Sequence, residues 1–492
     1  MARKIIIIGA GLAGLAGAAL LAKKGYKVVV LEKNSIPGGV AGRFEKSGFL
    51  FDTGPTWYLM PEVYDRFFGL FGKKPGDYYT LHHCNPSYKI IFEGQGEAVI
   101  SRDQEHNRNV FDSFETSGGH KLKRFLENSK EKFSIAVAKF LYREYTSILD
   151  FASPRLLLDG LRLNIFDTLH SFVKKYFSDH RPQKVVEFNT VFLGSSPFST
   201  PALYSLMAHA DITQGVYHPA GGIYKLVEAL VSLGSEYGVE YRYNQEVTGI
   251  ECADRTTTGV QTANSFESAD IVVSALDYHH TDTALTPKKY RNYSKRYWNS
   301  RILAPSAFLI FLGLNKKIPQ LEHHNFYFAE NWDRHFTEIF NKPAWPENPS
   351  YYIGVPSRTD PTAAPINCEN IFILVPTAPG LDDPDTIRET FAAKIISHIE
   401  TQLNTQIKKH IIYQQVFSQR DFFHHYYLFN GTALGLSHTL FQTALFRPSR
   451  KNKKLKNMYY TGHYTQPGIG MPMAIIGAEL LADRIIKEQP HE

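Results

Sequence analysis

Three glycines and one acidic residue near the start of the chain have the types and the spacing that bind a dinucleotide. Gly9, Gly11 and Gly14 follow the run Ile5 to Ile8, and Glu32 lies further on. Gly9 permits a tight turn, Gly11 lets the backbone approach a pyrophosphate, and Gly14 allows close packing of a following helix. Glu32 lies where a ribose hydroxyl would be. This pattern indicates a nucleotide site with the phosphate at a helix N-terminus.

The glycines require a strand, a helix and a second strand in that order. Ile5 to Ile8 predicts a strand buried on both faces of a parallel sheet. Leu12 to Lys24 predicts a helix of small residues that Gly25 closes, and Lys27 to Leu31 predicts the next buried strand. A turn that binds nothing would leave the glycines and Glu32 unexplained, whereas the full unit is a strong signal. The predicted contacts in this unit are Gly9, Gly11, Leu12, Ala13, Gly14, Glu32 and Lys33.

The same stretch invites a competing interpretation as a membrane segment. Ile5 to Ala22 is uncharged and follows Arg3 and Lys4, which is typical of a signal peptide or a span. Its glycines make a poor membrane helix, and the periodicity changes at Gly9. No other stretch is long and apolar enough to span a bilayer, so we expect a cytosolic or peripheral protein.

Composition narrows the function classes. The length of 492 residues suits two or three structural domains, and the net charge of +6 gives little reason to expect nucleic acid but suits an anionic membrane surface. The aromatic share of 13% suits large apolar cavities or interfaces, although a bulky core is commoner. Cys84, Cys252 and Cys368 are too scattered for a disulfide framework or a thiolate metal site.

The spacing of the histidines also leads us to expect no metal site. Pairs begin at His82, His279, His323 and His424, without a His-Glu-x-x-His motif. Adjacent residues seldom face one centre, so surface or polar-cavity roles are favoured.

Two further glycine-rich loops bring in a family resemblance. Ile36-Pro-Gly-Gly-Val-Ala-Gly-Arg43 is followed by Gly48-Phe-Leu-Phe-Asp-Thr-Gly-Pro55. Glu32 with this Gly-Gly pair and the Gly-Phe-x-Phe-Asp-x-Gly-Pro motif resembles the flavoproteins that include amine oxidases, protoporphyrinogen oxidases and carotenoid desaturases. Many members have Arg or Lys directly after Gly-Gly, where this chain has Val40. The resemblance assigns Gly39 and the nearest arginine, Arg43, to the cofactor.

Three later segments narrow the resemblance. Trp57 to Phe71 resembles the carotenoid branch, and Val191 to Gly222 resembles the bacterial-type phytoene desaturases. Asn457 to Pro472 resembles the carboxy-terminal flavin motif of the family. The resemblance implies that a backbone group of Val247 meets the adenine side of the cofactor. It also implies that a strand, Met458 to Thr461, and a helix, Ala474 to Ile486, bring a turn against the isoalloxazine. The residues assigned there are Gly462, Gly468, Gly470 and Met471.

The resemblance implies FAD as the cofactor and a long polyisoprenoid, foremost phytoene, as the substrate. Desaturation would move a hydride from an allylic carbon to flavin with loss of a neighbouring proton. The chain has no second nucleotide motif for NAD(P)H, so electrons would pass to oxygen or a quinone. An uncharged substrate predicts a long apolar tunnel. His463 is a candidate for moving a proton, although a structural role is favoured.

The expected fold is mixed α/β and α+β. A Rossmann-like, doubly wound FAD domain would comprise residues 1–80, 220–290 and 430–492. A sheet-plus-helix substrate domain would comprise residues 81–219 and 291–429. Its helical part, 121–177, is rich in leucine and is interpreted either as core or as a surface lying on lipid. The protein would then be peripheral, on the cytoplasmic face of a membrane.

A basic run precedes the last predicted strand. We expect a solvated loop there in preference to contact with anionic head groups. The run comprises Arg447, Arg450, Lys451, Lys453, Lys454 and Lys456.

Three alternatives to phytoene desaturation remain. One is a related flavoenzyme on another polyene, such as a C30 dehydrosqualene desaturase, a hydroxycarotenoid desaturase, a terminal-methyl oxidase or a carotene isomerase. Another is an amine or porphyrinogen oxidase, which the segments at Trp57 and Phe192 disfavour. The third is a non-catalytic flavin- and lipid-binding protein, which the two intact terminal motifs oppose.

Overall fold

The computed structural model describes residues 2–147, 150 and 163–490. Its strands are β1 (Lys4–Ile8), β2 (Lys27–Leu31), β3 (Arg43–Lys46), β4 (Phe49–Asp52), β5 (Leu81–His83), β6 (Tyr88–Phe92), β7 (Gly96–Ile100), β8 (Tyr217–Pro219), β9 (Glu240–Arg242), β10 (Val247–Ala253), β11 (Thr256–Thr262), β12 (Phe266–Ser268), β13 (Ile271–Ser274), β14 (Ser306–Leu314), β15 (His324–Phe328), β16 (Tyr351–Gly354), β17 (Glu369–Thr377), β18 (Ile411–Phe417) and β19 (Met458–Tyr460).

The α-helices alternate with these strands and cover their sheets. They are α1 (Leu12–Lys23), α2 (Pro61–Gly69), α3 (Gln104–Phe114), α4 (Gly118–Ile135), α5 (Leu169–Val173), α6 (His180–Glu187), α7 (Tyr224–Glu236), α8 (Tyr278–His280), α9 (Lys295–Asn299), α10 (Trp332–Phe340), α11 (Asp385–Leu403), α12 (Gln419–Tyr426) and α13 (Met471–Glu488).

A parallel sheet carries the amino-terminal glycine turn. Its strand order is β19-β13-β1-β2-β9, so β1 lies in the middle. Ile5 pairs with Val28 on one side and Ile271 on the other, and Ile5 to Ile8 are all buried. Ile5 and Ile7 join the core formed with α1, α7 and α13, whereas the core around Ile6 and Ile8 includes residues of the three-stranded sheet β10-β11-β12. With neighbours on both edges and both faces covered, every side chain of β1 from Ile5 onward lies in the core. The predicted strand–helix–strand unit and the α/β class are confirmed.

A second, mixed sheet has the order β18-β14-β17-β16-β15-β6-β7. Strands β14 and β17 pair antiparallel over their whole lengths, and every residue of β14 is buried. Helix α11 covers one face of this sheet through Phe391, Ile395 and Ile399, which join its core.

The two sheets draw on different parts of the chain. Strands of the parallel sheet come from residues 4–31, 240–274 and 458–460, and those of the mixed sheet come from residues 88–100 and 306–417. This division is compatible with the predicted segments 1–80, 220–290 and 430–492 for one domain. The exact domain bounds stay a prediction.

The predicted helical part, 121–177, is only partly helical where it is described. Helix α4 continues as a wider helical turn, Ala136–Leu141, and α5 is short. Leu163 and Leu169 are buried, which favours the core interpretation for them, whereas Phe166 is 77% exposed. Leu156, Leu157, Leu158 and Leu161 lie outside the described residues.

Membrane crossing by a helix was checked over the same part of the chain. Within residues 2–147, 150 and 163–490, the structure contains no helix with the length and apolarity needed to cross a bilayer.

Candidate functional site

In the glycine turn after β1, the backbone conformation and packing require glycine at two positions, Gly9 and Gly14, but not at Gly11. Gly9 has φ +98°, and a Cβ on Gly14 would lie 2.3 Å from the Gly9 carbonyl oxygen, so the close approach of α1 requires Gly14. A Cβ on Gly11 would meet no atom of the described residues within 4 Å, and its φ of −73° suits any residue. Gly11 therefore borders open space, which is where a pyrophosphate would approach.

Helix α1 begins at this turn without a side-chain cap. Gly11 is its N-cap residue, and no side chain accepts from the first turn. The first backbone N–H groups of a helix have no intrahelical partner and favour an anion. Leu12 and Ala13, the first two residues of α1, therefore present the N–H groups expected at a phosphate.

Glu32 is held beside the turn by the backbone. Its carboxylate is 5% exposed, and Oε2 accepts a hydrogen bond from the Ala10 N–H at 2.8 Å. Oε1 accepts from the Asn34 N–H at 2.9 Å. Val247 begins β10 nearby, since Gln245 N–H donates to the Glu32 carbonyl at 2.8 Å. The structure brings these residues together, and their ribose and adenine contacts stay predictions.

The second glycine loop packs on the first. Gly38 N–H donates to the Ala10 carbonyl at 2.8 Å, and a Cβ on Gly39 would lie 3.5 Å from Gly11 Cα. Gly54 lies against the same loop, because its Cβ would be 2.1 Å from the Val40 carbonyl oxygen. Both quoted loop motifs therefore lie at the glycine turn after β1.

Two predicted basic contacts already have protein partners. Arg43 Nη2 lies 2.8 Å from Glu228 Oε1, and its guanidinium stacks 4.5 Å from the centre of the Tyr224 ring. Lys33 Nζ donates to the His424 carbonyl at 3.0 Å, and burial lowers the pKa of Lys33. A phosphate contact from either residue stays a prediction.

The carboxy-terminal motif comes to the same edge of the parallel sheet. Strand β19 pairs with β13, and Gly462 follows it with φ +114° and open space at its Cβ position. Helix α13 begins at Met471, earlier than predicted, with Gly470 as an N-cap that has no side-chain partner. It packs beside α1, where a Cβ on Gly17 would meet Leu481 Cδ2 at 3.3 Å. Two uncapped helix N-termini thus follow the carboxyl ends of β1 and β19, where open α/β sheets bind ligands.

Sequence reasoning missed a buried polar cluster behind this turn. Arg447 donates to the His463 carbonyl at 2.7 Å, the Leu436 carbonyl at 3.2 Å and His438 Nε2 at 3.0 Å. Because arginine only donates, His438 Nε2 is the acceptor, and Nδ1 carries the hydrogen given to the Leu193 carbonyl at 2.8 Å. Burial lowers the pKa of Arg447 to about 10, so it stays charged at neutral pH.

His463 itself has a mainly structural setting. A Cβ on Gly435 would lie 2.3 Å from His463 Cδ2, so this ring packs on the backbone. Burial and the nearby Arg447 lower the pKa of His463 to about 4, so the ring is neutral at pH 7. Its Nε2 is buried and has no hydrogen-bond partner within the described residues.

The predicted solvated loop is wrong for the two arginines of the basic run. Arg447 is 3% exposed and Arg450 is 1% exposed. Arg450 donates to the Gly477 carbonyl at 2.8 Å and to the Gln466 carbonyl. A guanidinium has five donors in a fixed fork, which lets backbone carbonyls replace its water. Residue type is the only signal in the sequence that distinguishes the buried arginines from the exposed members of the run, which are Lys453, Lys454 and Lys456.

Asp52, from the quoted Phe-Asp-x-Gly-Pro motif, is a second residue whose role the sequence did not reveal. Its Oδ2 accepts from the Ile223 N–H at 2.7 Å, and its Oδ1 accepts from the Tyr224 N–H at 3.2 Å. A Cβ on Gly222 would lie 2.7 Å from Oδ2, which explains that glycine. Burial raises the pKa of Asp52 to about 6. Asp52 therefore connects the Gly48 to Pro55 motif to the start of α7.

One histidine pair departs from expectation. Ligand atoms of His323 and His324 lie within 4.8 Å of each other and of Cys84. His324 opens β15, and His323 precedes it, so strand alternation does not separate their rings.

Comparison with known proteins identifies the family. Residues 12–486 match the family described as flavin containing amine oxidoreductase, and the chain is 39% identical over 488 residues to the carotenoid 3,4-desaturase of Haloarcula japonica, covering 98% of each. The chain belongs to the carotenoid desaturases of this flavoprotein family. It is 31% identical over 517 residues to the phytoene desaturase of Fusarium fujikuroi, covering 99% of this chain and 90% of that one.

The solved structures support the fold. Cyclohexylamine oxidase from Brevibacterium oxydans matches with a TM-score of 0.62 at 13% identity, over 100% of both chains. The resemblance to carotenoid desaturases is confirmed. The protein described here is a flavin-dependent oxidoreductase that acts on CH–CH bonds. The geometry of these two turns fits a flavin nucleotide, since no atom of the residues that the structure describes lies within 4 Å of a Cβ built on Gly11 or Gly462.

Proposed function

We propose that this protein is an FAD-dependent carotenoid desaturase with phytoene as its foremost substrate. The observation that carries the proposal is the likeness to carotenoid and phytoene desaturases over nearly the whole chain. An adenine dinucleotide suits the paired features at the first turn, an uncapped helix N-terminus and a buried acid.

Each end of the cofactor has candidate contacts in the chain. Backbone N–H groups at Leu12 and Ala13 would hold the pyrophosphate, and Glu32 would hold the ribose. Gly462 and the turn at Gly470 would border the isoalloxazine. Bound FAD supplies the acceptor for a hydride from the substrate.

The protein's own part is to bind an uncharged chain and to exclude water. An aromatic cluster of Trp57, Tyr88, Phe188 and Phe326 suits this role, because all four side chains are buried. The ring centroids of these residues lie 4.6 to 6.0 Å apart. Burial of apolar surface stabilises such a complex by about 25 cal/mol per Å². The predicted apolar tunnel would run beside this cluster and stays part of the proposal.

His463 is assigned a positioning role rather than a catalytic one. Its carbonyl holds Arg447, and its neutral ring packs on Gly435. Replacing His463 with Ala and measuring turnover at full flavin occupancy tests this. An unchanged rate supports positioning, and a rate that falls while flavin content and substrate KM stay constant would contradict it.

The deciding experiment mixes flavin-loaded protein anaerobically with phytoene in liposomes. Flavin bleaching with stepwise red-shifted polyenes supports the proposal and counts the double bonds introduced. Oxidised flavin without product rules out phytoene.

A second candidate substrate is an already desaturated or hydroxylated carotenoid. It is favoured by the 39% identity to a carotenoid 3,4-desaturase. The same anaerobic experiment with such carotenoids, and with a C30 analogue, distinguishes it: bleaching with these alone would replace phytoene as the substrate. Admitting oxygen or a quinone to the reduced protein then identifies the acceptor by the faster reoxidation.

We also propose peripheral attachment to the cytoplasmic face of a membrane. An exposed apolar patch comprises Ile302, Phe441 and Phe446, which are 48%, 70% and 42% exposed. Gln442 joins its parts, since Nε2 donates to the Ile302 carbonyl at 2.8 Å. The exposed Lys295 and Arg296 of α9 precede the patch in sequence and suit anionic head groups.

Flotation with anionic liposomes tests this surface. We expect Phe441→Ser with Phe446→Ser to reduce flotation by about tenfold, because lost apolar contacts weaken interfacial binding. Ile366→Ser is the matched control, since Ile366 is 92% exposed and lies outside the patch. Equal flotation of wild type and the double variant would remove the patch from the proposal.

A further inference from the structure

Three side chains of metal-ligating types meet in the core, and none of them is assigned to the cofactor. Cys84, His323 and His324 are 1%, 3% and 0% exposed, and their ligand atoms lie within 4.8 Å of one another. Cys84 Sγ lies 3.7 Å from His324 Nε2, although the two residues are 240 positions apart. The scattered cysteines of the sequence gave no sign of this meeting, because only the pairing of distant strands creates it.

Both imidazoles are oriented by a partner on their other nitrogen. His323 Nδ1 lies 2.6 Å from Thr359 Oγ1, and His324 Nδ1 lies 2.7 Å from Tyr352 Oη. These contacts leave each Nε2 as the nitrogen that can bind a metal. Metal-ligating histidines almost always have such a second contact, which fixes ring orientation.

A plain hydrogen bond explains less of the geometry. A thiol of Cys84 that donates to His324 Nε2 would account for the 3.7 Å contact alone. It would not involve the His323 ring, which is fixed beside it by Thr359. It would also leave His218, 2% exposed, with neither ring nitrogen hydrogen-bonded to any residue that the structure describes.

A small cavity adjoins the cluster on the side of His218. Its volume is ≈ 10 Å³, and His218 and His323 line it together with Asp52 and Thr56. The His218 ring centroid lies 4.6 Å from that of His323. Such a volume holds the centre of about one water molecule. One further ligand therefore has room beside His323.

Metal binding has a definite proton balance. The Cys84 thiol loses its proton to solvent, so that a thiolate–metal bond replaces the S–H bond. The two histidines bind as neutral imidazoles through Nε2, which releases no further proton when Nδ1 carries the hydrogen.

We propose that Cys84, His323 and His324 bind one zinc ion, with a fourth position facing the His218 cavity. Zinc sites are tetrahedral, with bonds of about 2.0–2.3 Å and ligand atoms therefore roughly 3.6 Å apart. The Cys84–His324 separation already has about that length, and the other ligand atoms, which lie within 4.8 Å of one another, must approach by no more than roughly 1 Å. A thiolate with two imidazoles in a tetrahedral arrangement suits zinc better than magnesium, calcium or manganese.

Metal content of the flavin-loaded protein tests this directly. After exposure to Zn²⁺ and desalting, we expect one zinc per chain by mass spectrometry. X-ray absorption at the zinc edge should show one sulfur at about 2.3 Å and nitrogens at about 2.0–2.1 Å. Zinc below stoichiometry, or bound zinc without a sulfur neighbour, would overturn the site and indicate adventitious binding only.

Variants then assign the ligands. Cys84→Ser and His324→Gln should lose the stoichiometric zinc, whereas Cys252→Ser, a half-buried cysteine outside the group, should keep it. Tyr352→Phe removes only the contact to His324 Nδ1 and should weaken zinc binding by roughly 10- to 100-fold. Folding is checked by flavin content and near-UV circular dichroism. A folded Cys84→Ser protein with unchanged zinc content would contradict the assignment of Cys84 as a ligand. The X-ray absorption spectrum of the wild-type protein tests for the sulfur ligand without any variant.

Discussion

The glycine turn at Gly9 to Gly14 and the turn at Gly462 to Gly470 both lead into a helix with no side-chain cap, but different parts of the chain support them. At the first turn, Gly14 packs on the Gly9 carbonyl, and Glu32 accepts from Ala10, so its partners are near in sequence. At the second turn, Gly468 packs on His438, and the backbone of His463 is held by Arg447.

This difference shows why the two turns are not equally robust. The first is part of a strand–helix–strand unit that forms from local packing. The second depends on a buried cation whose hydrogen bonds reach Leu436, His438 and His463 together. A buried charge with several acceptors leaves all of them unsatisfied when it is removed.

Removal of the Arg447 guanidinium should have the largest effect on the free energy of unfolding. Arg447→Met leaves two carbonyls and His438 Nε2 without their donor, which should lower the free energy of unfolding by at least about 3 kcal/mol. Chemical denaturation of the flavin-free protein measures it. Lys453→Met, an exposed member of the same run, should change stability by less than about 0.5 kcal/mol. Equal effects from both variants would remove the contrast between the two turns.

Alanine substitutions at the first turn should separate packing from cofactor binding. Gly14→Ala places a Cβ 2.3 Å from a backbone oxygen and should destabilise the flavin-free protein by about 3 kcal/mol. Gly11→Ala meets no protein atom and should cost less than about 1 kcal/mol at this N-cap, yet it should sharply lower flavin content. Melting temperature without flavin and the flavin-to-protein ratio report the two effects. A Gly11→Ala protein with full flavin content would argue against pyrophosphate at this turn.

The second turn should show coupling to a distant side chain. Gly468→Ala places a Cβ 2.2 Å from His438 Nε2 and should cost about 2 kcal/mol. In a double-mutant cycle, His438→Ala should relieve at least about 1 kcal/mol of that cost by making room. Strictly additive effects would mean that His438 does not support the turn.

The smallest expected difference is in acid sensitivity. The pKa of His463 is lowered to about 4, so between pH 6.5 and pH 4 the unfolded chain binds a proton that the folded protein does not. The free energy of unfolding should therefore fall as pH decreases through that window, with His463 contributing about 1 kcal/mol per pH unit. His463→Gln should flatten the slope relative to wild type, and His424→Gln, at an exposed position, should leave it unchanged. Identical slopes in all three proteins would show that the ring of His463 is not held neutral by the fold.

Much of this organisation could be predicted from local sequence. The run Ile5 to Ile8, the glycines that follow it and the acid Glu32 specify a strand, a turn and a strand end within one short segment. Helix α13 and strand β19 were also predicted, although α13 begins earlier, at Met471. Such elements follow from backbone sterics and hydrophobic periodicity, which act over neighbouring residues.

The buried polar groups could not be predicted in the same way. Arg447 and Arg450 belong to a basic run that is typical of a solvated loop, and their carbonyl partners lie on other segments. Asp52 was quoted within a motif, but its partners at Ile223 and Tyr224 are distant. Whether a charged side chain is buried depends on acceptors that only the folded chain assembles.

The sequence by itself determined the glycine turn after β1, the α/β class and the resemblance to carotenoid desaturases, because these depend on short motifs with fixed spacing. The tertiary structure alone decided which arginines are buried and which cysteine meets two histidines. It brought Cys84 beside His324, 240 positions away, and Arg447 beneath the second turn. Contacts of this kind form when strands and loops distant in sequence pack together, and periodicity contains no information about them.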